Sequence, residues 1–140
     1  MSAPLQSEFL NKLFLRLSTN GGIIALVPAN KIFNHVPELE DKRVDKPYIH
    51  FMVAATGDFG AKNEIGYDNQ IQIDIYSDAR GDKEVLTIMD AVVAAVHNIP
   101  LVVTSGQDVL IQFDGSVVDT DADGILHHGI LRFRSLSGQT

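Results

Sequence analysis

Between Asp68 and His97 the chain reads DNQIQIDIYSDARGDKEVLTIMDAVVAAVH, and its apolar period changes part-way. That change constrains the fold more than any other feature. Ile71, Ile73 and Ile75 share one face of an extended segment, with Gln70, Gln72, Asp74 and Tyr76 on the other. A period of two marks a strand in a sheet with one apolar side. From Asp82 the apolar residues Val85, Ile88, Met89, Val92 and Val96 recur at three- and four-residue steps. That is the stripe of a helix packed on a sheet.

The rest of the chain extends this pattern. Pro4–Leu17 reads as a first helix with a stripe of Leu5, Phe9, Leu13 and Leu17, because proline is tolerated at a helix start. Asn20-Gly21-Gly22 is expected to stop it, and Ile23–Val27 to form a helical turn. Lys31–Val36, Tyr48–Ala55 and Tyr67–Tyr76 read as strands. Thr56–Gly66 (TGDFGAKNEIG), with three glycines, reads as a long hairpin tip or a mobile loop joining two antiparallel strands. In the last third, Val109, Ile111 and Phe113 alternate with Leu110, Gln112 and Asp114. Ile125–Leu136 puts Leu131 and Phe133 opposite Arg132 and Arg134. The polar tail, residues 137–140, reads as frayed. The order helix, strands, helix, strands predicts an α+β fold: a mostly antiparallel sheet with two main helices packed on one face.

One domain is the natural reading of 140 residues. A core of that size buries about two thirds of the unfolded surface without a covalent staple. The absence of cysteine excludes disulfides, thiolate metal sites and thiol nucleophiles together. Eleven basic against 18 acidic residues give a net charge of -7, which argues against a specific nucleic-acid grip. The longest apolar run, Ala91–Val103, is broken by His97, Asn98 and Pro100, short of the roughly 20 residues a membrane span needs. No basic lead precedes an apolar core, so no secretory signal is read.

Candidate chemistry is sparse. Asp119-Thr-Asp121-Ala-Asp123-Gly124 opens like a calcium loop, with carboxylates at alternate positions and a glycine for the bend. The twelfth position, where a bidentate acid belongs, is Ile130, and the flanks alternate like strands. A turn rich in Asp and Gly is the simpler expectation, with Asp119, Asp121 and Asp123 as candidate hard-cation ligands. His127 and His128 are adjacent on a strand and point to opposite faces, and His35, His50 and His97 are scattered. None of these gives the three or four converging ligands of a zinc site. Ser77 lies between strand and helix, where Ser77 or Asp78 is expected to cap exposed amides. With no nucleophile, base and oxyanion donor to name together, no catalytic residue and no cofactor is expected. The interaction candidates are Asp58, Phe59 and Lys62 on the hairpin tip, and Arg132 and Arg134 on a strand face with His128.

Five phrases then stand in order: the helix at Pro4–Leu17, KIFNHVP (Lys31–Pro37), KPYIHF (Lys46–Phe51), IQIDIYSDARGDKEVLTIMDAVVAAVH (Ile71–His97) and DADGILHHGILRFR (Asp121–Arg134). Together they resemble the tail-completion, or tail-terminator, family of long-tailed phages and phage-like gene-transfer particles. The resemblance implies a structural virion protein with no catalytic residues. It implies self-association into a ring, usually a hexamer, that caps the head-proximal end of the tail tube. The implied partners are the tail tube protein and a head connector, adaptor or stopper protein. The implied place is the tail–head junction of the virion, reached from the host cytoplasm during assembly. A negative chain is compatible with a channel wall that DNA passes without sticking. From a different class, the alternative is a small binding module that uses Asp119, Asp121 and Asp123 for calcium.

Overall fold

A computed structural model describes residues 3–34, 47–58, 65–97, 100–102, 108–120 and 126–139. In chain order these form α1 (Ala3–Thr19), α2 (Gly21–Ile24), a 3-10 turn (Ala29–Lys31), β1 (Ile32–Phe33), β2 (Tyr48–Asp58), β3 (Ile65–Ser77), α3 (Lys83–Val96), β4 (Pro100–Val102), β5 (Asp108–Thr120) and β6 (His127–Gln139). One sheet has the order β1-β2-β3-β6-β5-β4. The short β1 runs parallel to β2, and the other neighbours are antiparallel. This is the predicted α+β arrangement.

The predicted isoleucine stripe faces the helices. Ile71, Ile73 and Ile75 of β3 are buried with Ile49 and Phe51 of β2, Leu131 and Phe133 of β6 and Ile111 of β5. Against them lie Val85, Ile88, Met89, Val92 and Val96 of α3 and Leu13 and Leu17 of α1. Phe14 of α1 stacks on Phe51 with ring centroids 6.1 Å apart. The Arg16 guanidinium donates to the Ala95 carbonyl at 2.7 Å and so ties α1 to the last turn of α3. No helix among the described residues is long and apolar enough to cross a membrane.

Gly129 of β6 lies under α3, and a Cβ there would sit 2.6 Å from Met89 Sδ and 3.0 Å from Val85 Cγ2. The missing side chain sets how closely the helix approaches the sheet. Gly81 is the other glycine that matters: its φ of 75° turns the chain into α3, in a region that L side chains rarely adopt. At this same turn Ser77 Oγ donates to Glu84 Oε1 at 2.6 Å and accepts from the Ala79 amide at 3.2 Å. Ser77 therefore takes the clasping role expected at the strand–helix junction, while Asp82, at the N-cap position, makes no side-chain cap bond.

Several expectations need correction. Asn20 does more than end α1: its side chain caps α2 by accepting from the Ile23 amide at 3.1 Å. Of the strand expected over 31–36, the described residues hold Ile32–Phe33, entered from a 3-10 turn, and residues 35–36 lie outside the described residues. Residues 137–139, read as frayed, instead extend β6, with Ser137, Gly138 and Gln139 in register with Tyr67, Gly66 and Ile65. Both strands around the hairpin are longer than expected, so only residues 59–64 of Thr56–Gly66 lie outside the described residues. The alternation read for β5 holds as far as Phe113. A register shift between Phe113 and Gly115 then inserts Asp114 as a bulge and reverses which residues face the helices. A matching irregularity separates Val53 and Ala55 in β2. Val53, Ile71, Phe133 and Phe113 stand in one row across four strands, and one of these bulges adjoins each end of that row.

Candidate functional site on the outer face of the sheet

The sheet face turned away from the helices carries the polar parity of each strand. The register aligns Tyr48, Tyr76, His128 and Asp119 in one row and His50, Asp74, Ile130 and Val117 in the next. Facing residues on antiparallel strands are close enough to interact directly. Tyr48 and Tyr76 accordingly stack with centroids 4.7 Å apart, and Tyr76 stacks on His128 at 4.3 Å with planes 14° apart. Phe33 of β1 meets Tyr48 edge-on at 6.0 Å.

Asp74 is buried, only 4% exposed, although it lies on this outer face. Its Oδ1 accepts from Gln72 Nε2 at 2.9 Å and lies 3.1 Å from His128 Nε2. Its Oδ2 lies 3.4 Å from His50 Nδ1, a longer and weaker contact. Burial alone would push the carboxyl up. The hydrogen bonds from His128, Gln72 and His50, with the His128 charge, outweigh burial and hold it below the ordinary carboxylate value. The other His50 nitrogen, Nε2, lies 3.0 Å from the Asn34 carbonyl, and Asn34 Nδ2 donates to the Phe51 carbonyl at 2.9 Å. The network thus reaches from β6 through β3 and β2 to the end of β1. Tyr76 is pushed up to about 12, first by burial and then by the negative charges of Asp74 and Tyr48. Both carboxylate oxygens are already engaged, so Asp74 acts as a lock between strands and is poorly placed to serve as a base.

The predicted residues are distributed as follows. Arg132 and Arg134 are exposed on this outer face, as expected, and share it with His128. Arg132 lines a pocket of about 130 Å³ with Gln70, Gln72, Asp114 and Phe133. Asp58 is the last residue of β2, whereas Phe59 and Lys62 lie outside the described residues. Asp119 is exposed near the end of β5, and Asp121 and Asp123 lie outside the described residues. His127 and His128 point to opposite faces. His127 is buried on the helix side, with Nδ1 3.0 Å from Thr120 Oγ1. Among the described residues no group of three or more His, Asp or Glu side chains is arranged to hold a metal ion. The sequence reading missed the meeting of His50, Asp74 and His128. All three sit on the polar parity of their strands, so the usable signal was parity combined with the neighbour order β2-β3-β6.

Residues 11–137 match the family described as Tail completion protein gp17. The chain belongs to this family. As a member of the tail completion family it is a structural protein of a phage-type tail and a component of the virion. Its fold is similar to a solved chain from the "Virion of native gene transfer agent (GTA) particle", with a TM-score of 0.85 and 17% identity, over 99% of this chain and 100% of that one. A second solved chain matches with a TM-score of 0.61 and 14% identity over 96% of each chain. At these identities the likeness concerns the fold. No curated protein matches the sequence.

Proposed function

We propose that this tail completion protein assembles into a head-to-tail ring on the head-proximal end of a tail tube. There it stops tube growth and offers its free side to a head connector, adaptor or stopper protein. The family match over residues 11–137 carries this reading. The sheet gives it a physical basis. A polar, aromatic outer face locked by Asp74 is a rigid platform, and a ring that must hold a fixed bore requires rigid subunits. Closure follows when the rotation between neighbours divides a full turn, which for the family is expected to give six subunits. Arg132 and Arg134 on the outer face, and the β2–β3 tip that begins at Asp58, are the proposed contacts with tube and connector. No catalytic step and no cofactor enters this role.

The test uses purified tail tubes. Tubes polymerising with the protein present are expected to stop growing and to show an extra ring at one end by negative-stain microscopy. Light scattering should show ring-sized mass either free or once tubes are added. Tubes that elongate unchanged and stay uncapped would refute the proposal.

A further inference from the structure

This inference rests on the ring reading and assigns the surface that closes the ring. It starts from the two margins of the sheet. β4 pairs with β5 only at Asp108, Val109 and Leu110, and beyond that the Phe113 amide donates to His97 Nδ1 at 2.9 Å. Among the described residues no strand lies on the side of β5 away from β6 from Asp114 to Thr120. At the other margin β1 pairs with β2 only at Ile49 and His50, and the Asn34 side chain reaches the Phe51 carbonyl. Among the described residues no strand lies on the side of β2 away from β3 from Met52 to Asp58.

These two bare edges are not at the same level. One row runs Phe33, His50, Asp74, Ile130, Val117 and ends at Val117, with no β4 residue beside it. Another runs Gly57, Asp68, Leu136, Leu110, Pro100 and begins at Gly57, with no β1 residue beside it. Each margin is therefore stepped, and the steps are complementary. Where one margin projects by a strand, the other recedes by a strand at the same height.

The composition of the edges agrees. Monomeric proteins guard long edge strands with charges, prolines, bulges or a covering segment. Here each margin has one bulge, and charges stand only at the ends of the bare stretches, at Asp114, Asp119 and Asp58. Between them, Gly115-Ser-Val-Val118 and Met52-Val-Ala-Ala-Thr-Gly57 contain neither charge nor proline. Val117 is 48% exposed and Phe113 38%, which is high for large apolar residues. Strand sense agrees as well. Three antiparallel steps separate β2 from β5, so β5 runs opposite to β2 and to its parallel neighbour β1. A second copy set beside the first with the same strand sense brings its β1 antiparallel to β5, the better-bonded pairing, and its β2 parallel to β4 of the first copy.

We infer that a second copy of this chain docks at the β5 margin, with its β1 in the notch beside Gly115–Asp119 and the β4 of the first copy in the notch beside Ala55–Asp58 of the second. The two surfaces differ, so the contact is heterologous and repeats around a ring without rise. A dyad that pairs β5 with β5 would end at a dimer and leave every β2 edge bare.

The test exploits the absence of cysteine, which makes introduced thiols unique. Asn34 and Ser116 are both exposed and fall on the row next to that of Phe33 and Val117. N34C and S116C single variants, mixed, assembled alone or on tail tubes and then oxidised, should give a disulfide-linked heterodimer in large excess over homodimers. The N34C/S116C double variant should give a ladder ending at the ring. V117K should abolish assembly while leaving the urea midpoint unchanged, since the side chain is exposed. Rings that form without the N34C–S116C link, or S116C linking chiefly to itself, overturn this interface and leave the ring reading standing. Absence of any assembly, with or without tubes, overturns both.

Discussion

His50 and His128, on strands that are not neighbours, approach opposite oxygens of one buried carboxylate, that of Asp74 on the strand between them. Replacing Asp74 by Asn keeps the shape but removes the charge that both rings meet. D74N is expected to lower stability by about 1.5–3 kcal/mol, the range for hydrogen bonds to a charged group. The sign with pH is fixed by the direction of the shift. A carboxyl held below its ordinary value contributes stability above its unfolded value and loses it as the pH falls through the lower folded value. Urea midpoints of wild type and D74N should differ by a constant amount near neutrality and converge in the acid limb. A gap that widens toward low pH would contradict the assignment.

Tyr76 gives the alkaline counterpart. Its hydroxyl is raised to about 12. Stability linked to the neutral phenol is therefore complete below about pH 10 and lost between that value and about 12. The chain has three tyrosines. Ultraviolet titration of tyrosinate should show a late step in the wild type that is missing in Y76F, and a late step of undiminished size in Y76F would rule Tyr76 out as its source.

Under α3, Gly129→Ala forces a Cβ against Met89 and Val85. Overpacking of this kind costs about 1–3 kcal/mol, and Gly129→Val should cost more. Adding Met89→Ala to Gly129→Val should recover part of the loss, because it vacates the colliding side chain. Denaturant unfolding of the three variants reads the coupling directly, and strict additivity would argue against the contact.

At the turn into α3, Ser77→Ala leaves a Glu84 oxygen and the Ala79 amide without their partner. The expected loss is about 1–3 kcal/mol. The further change Glu84→Ala should then cost less in the S77A background than in the wild type. A double-mutant cycle with no coupling would show that the clasp contributes nothing.

Asp114 is exposed, so Asp114→Ala should be nearly neutral. Deleting Asp114 should be tolerated as well, because Gly115 would then follow Phe113 in regular alternation and still face Arg132, leaving Ser116 and Val118 on the helix side and Val117 outside. Deleting Gln112 instead, on the regular part of the strand, would leave an odd number of residues out of register and should be severely destabilising. Equal thermal melts for the two deletions would overturn the bulge.

Much of this architecture is legible in the chain because it is written locally. The three isoleucines of β3 and the Val85–Val96 stripe announce a strand and a helix without reference to anything distant. Arg132 and Arg134 fall on one face by the same parity. The Asp74 network is not local: it needs β2, β3 and β6 side by side in one register, and no short-range pattern supplies that. The bulge at Asp114 hides for a related reason: Asp114-Gly115 is a turn dipeptide and a glycine within a strand hints at an irregularity, but only the partner strand shows that one residue is supernumerary. The tail at 137–139 misleads because its polar residues look solvent-bound, yet pairing with Ile65–Tyr67 satisfies their backbone.

The extra residue in β5 also bears on kinship. A relative lacking it would keep the same pairing and the same inward and outward side chains, with each position from Gly115 to Thr120 counted one lower. Where identity is as low as 17%, a gapless comparison through Asp114 would score true counterparts as mismatches, so ancestry here is better traced by which side of the strand a residue occupies than by its ordinal place.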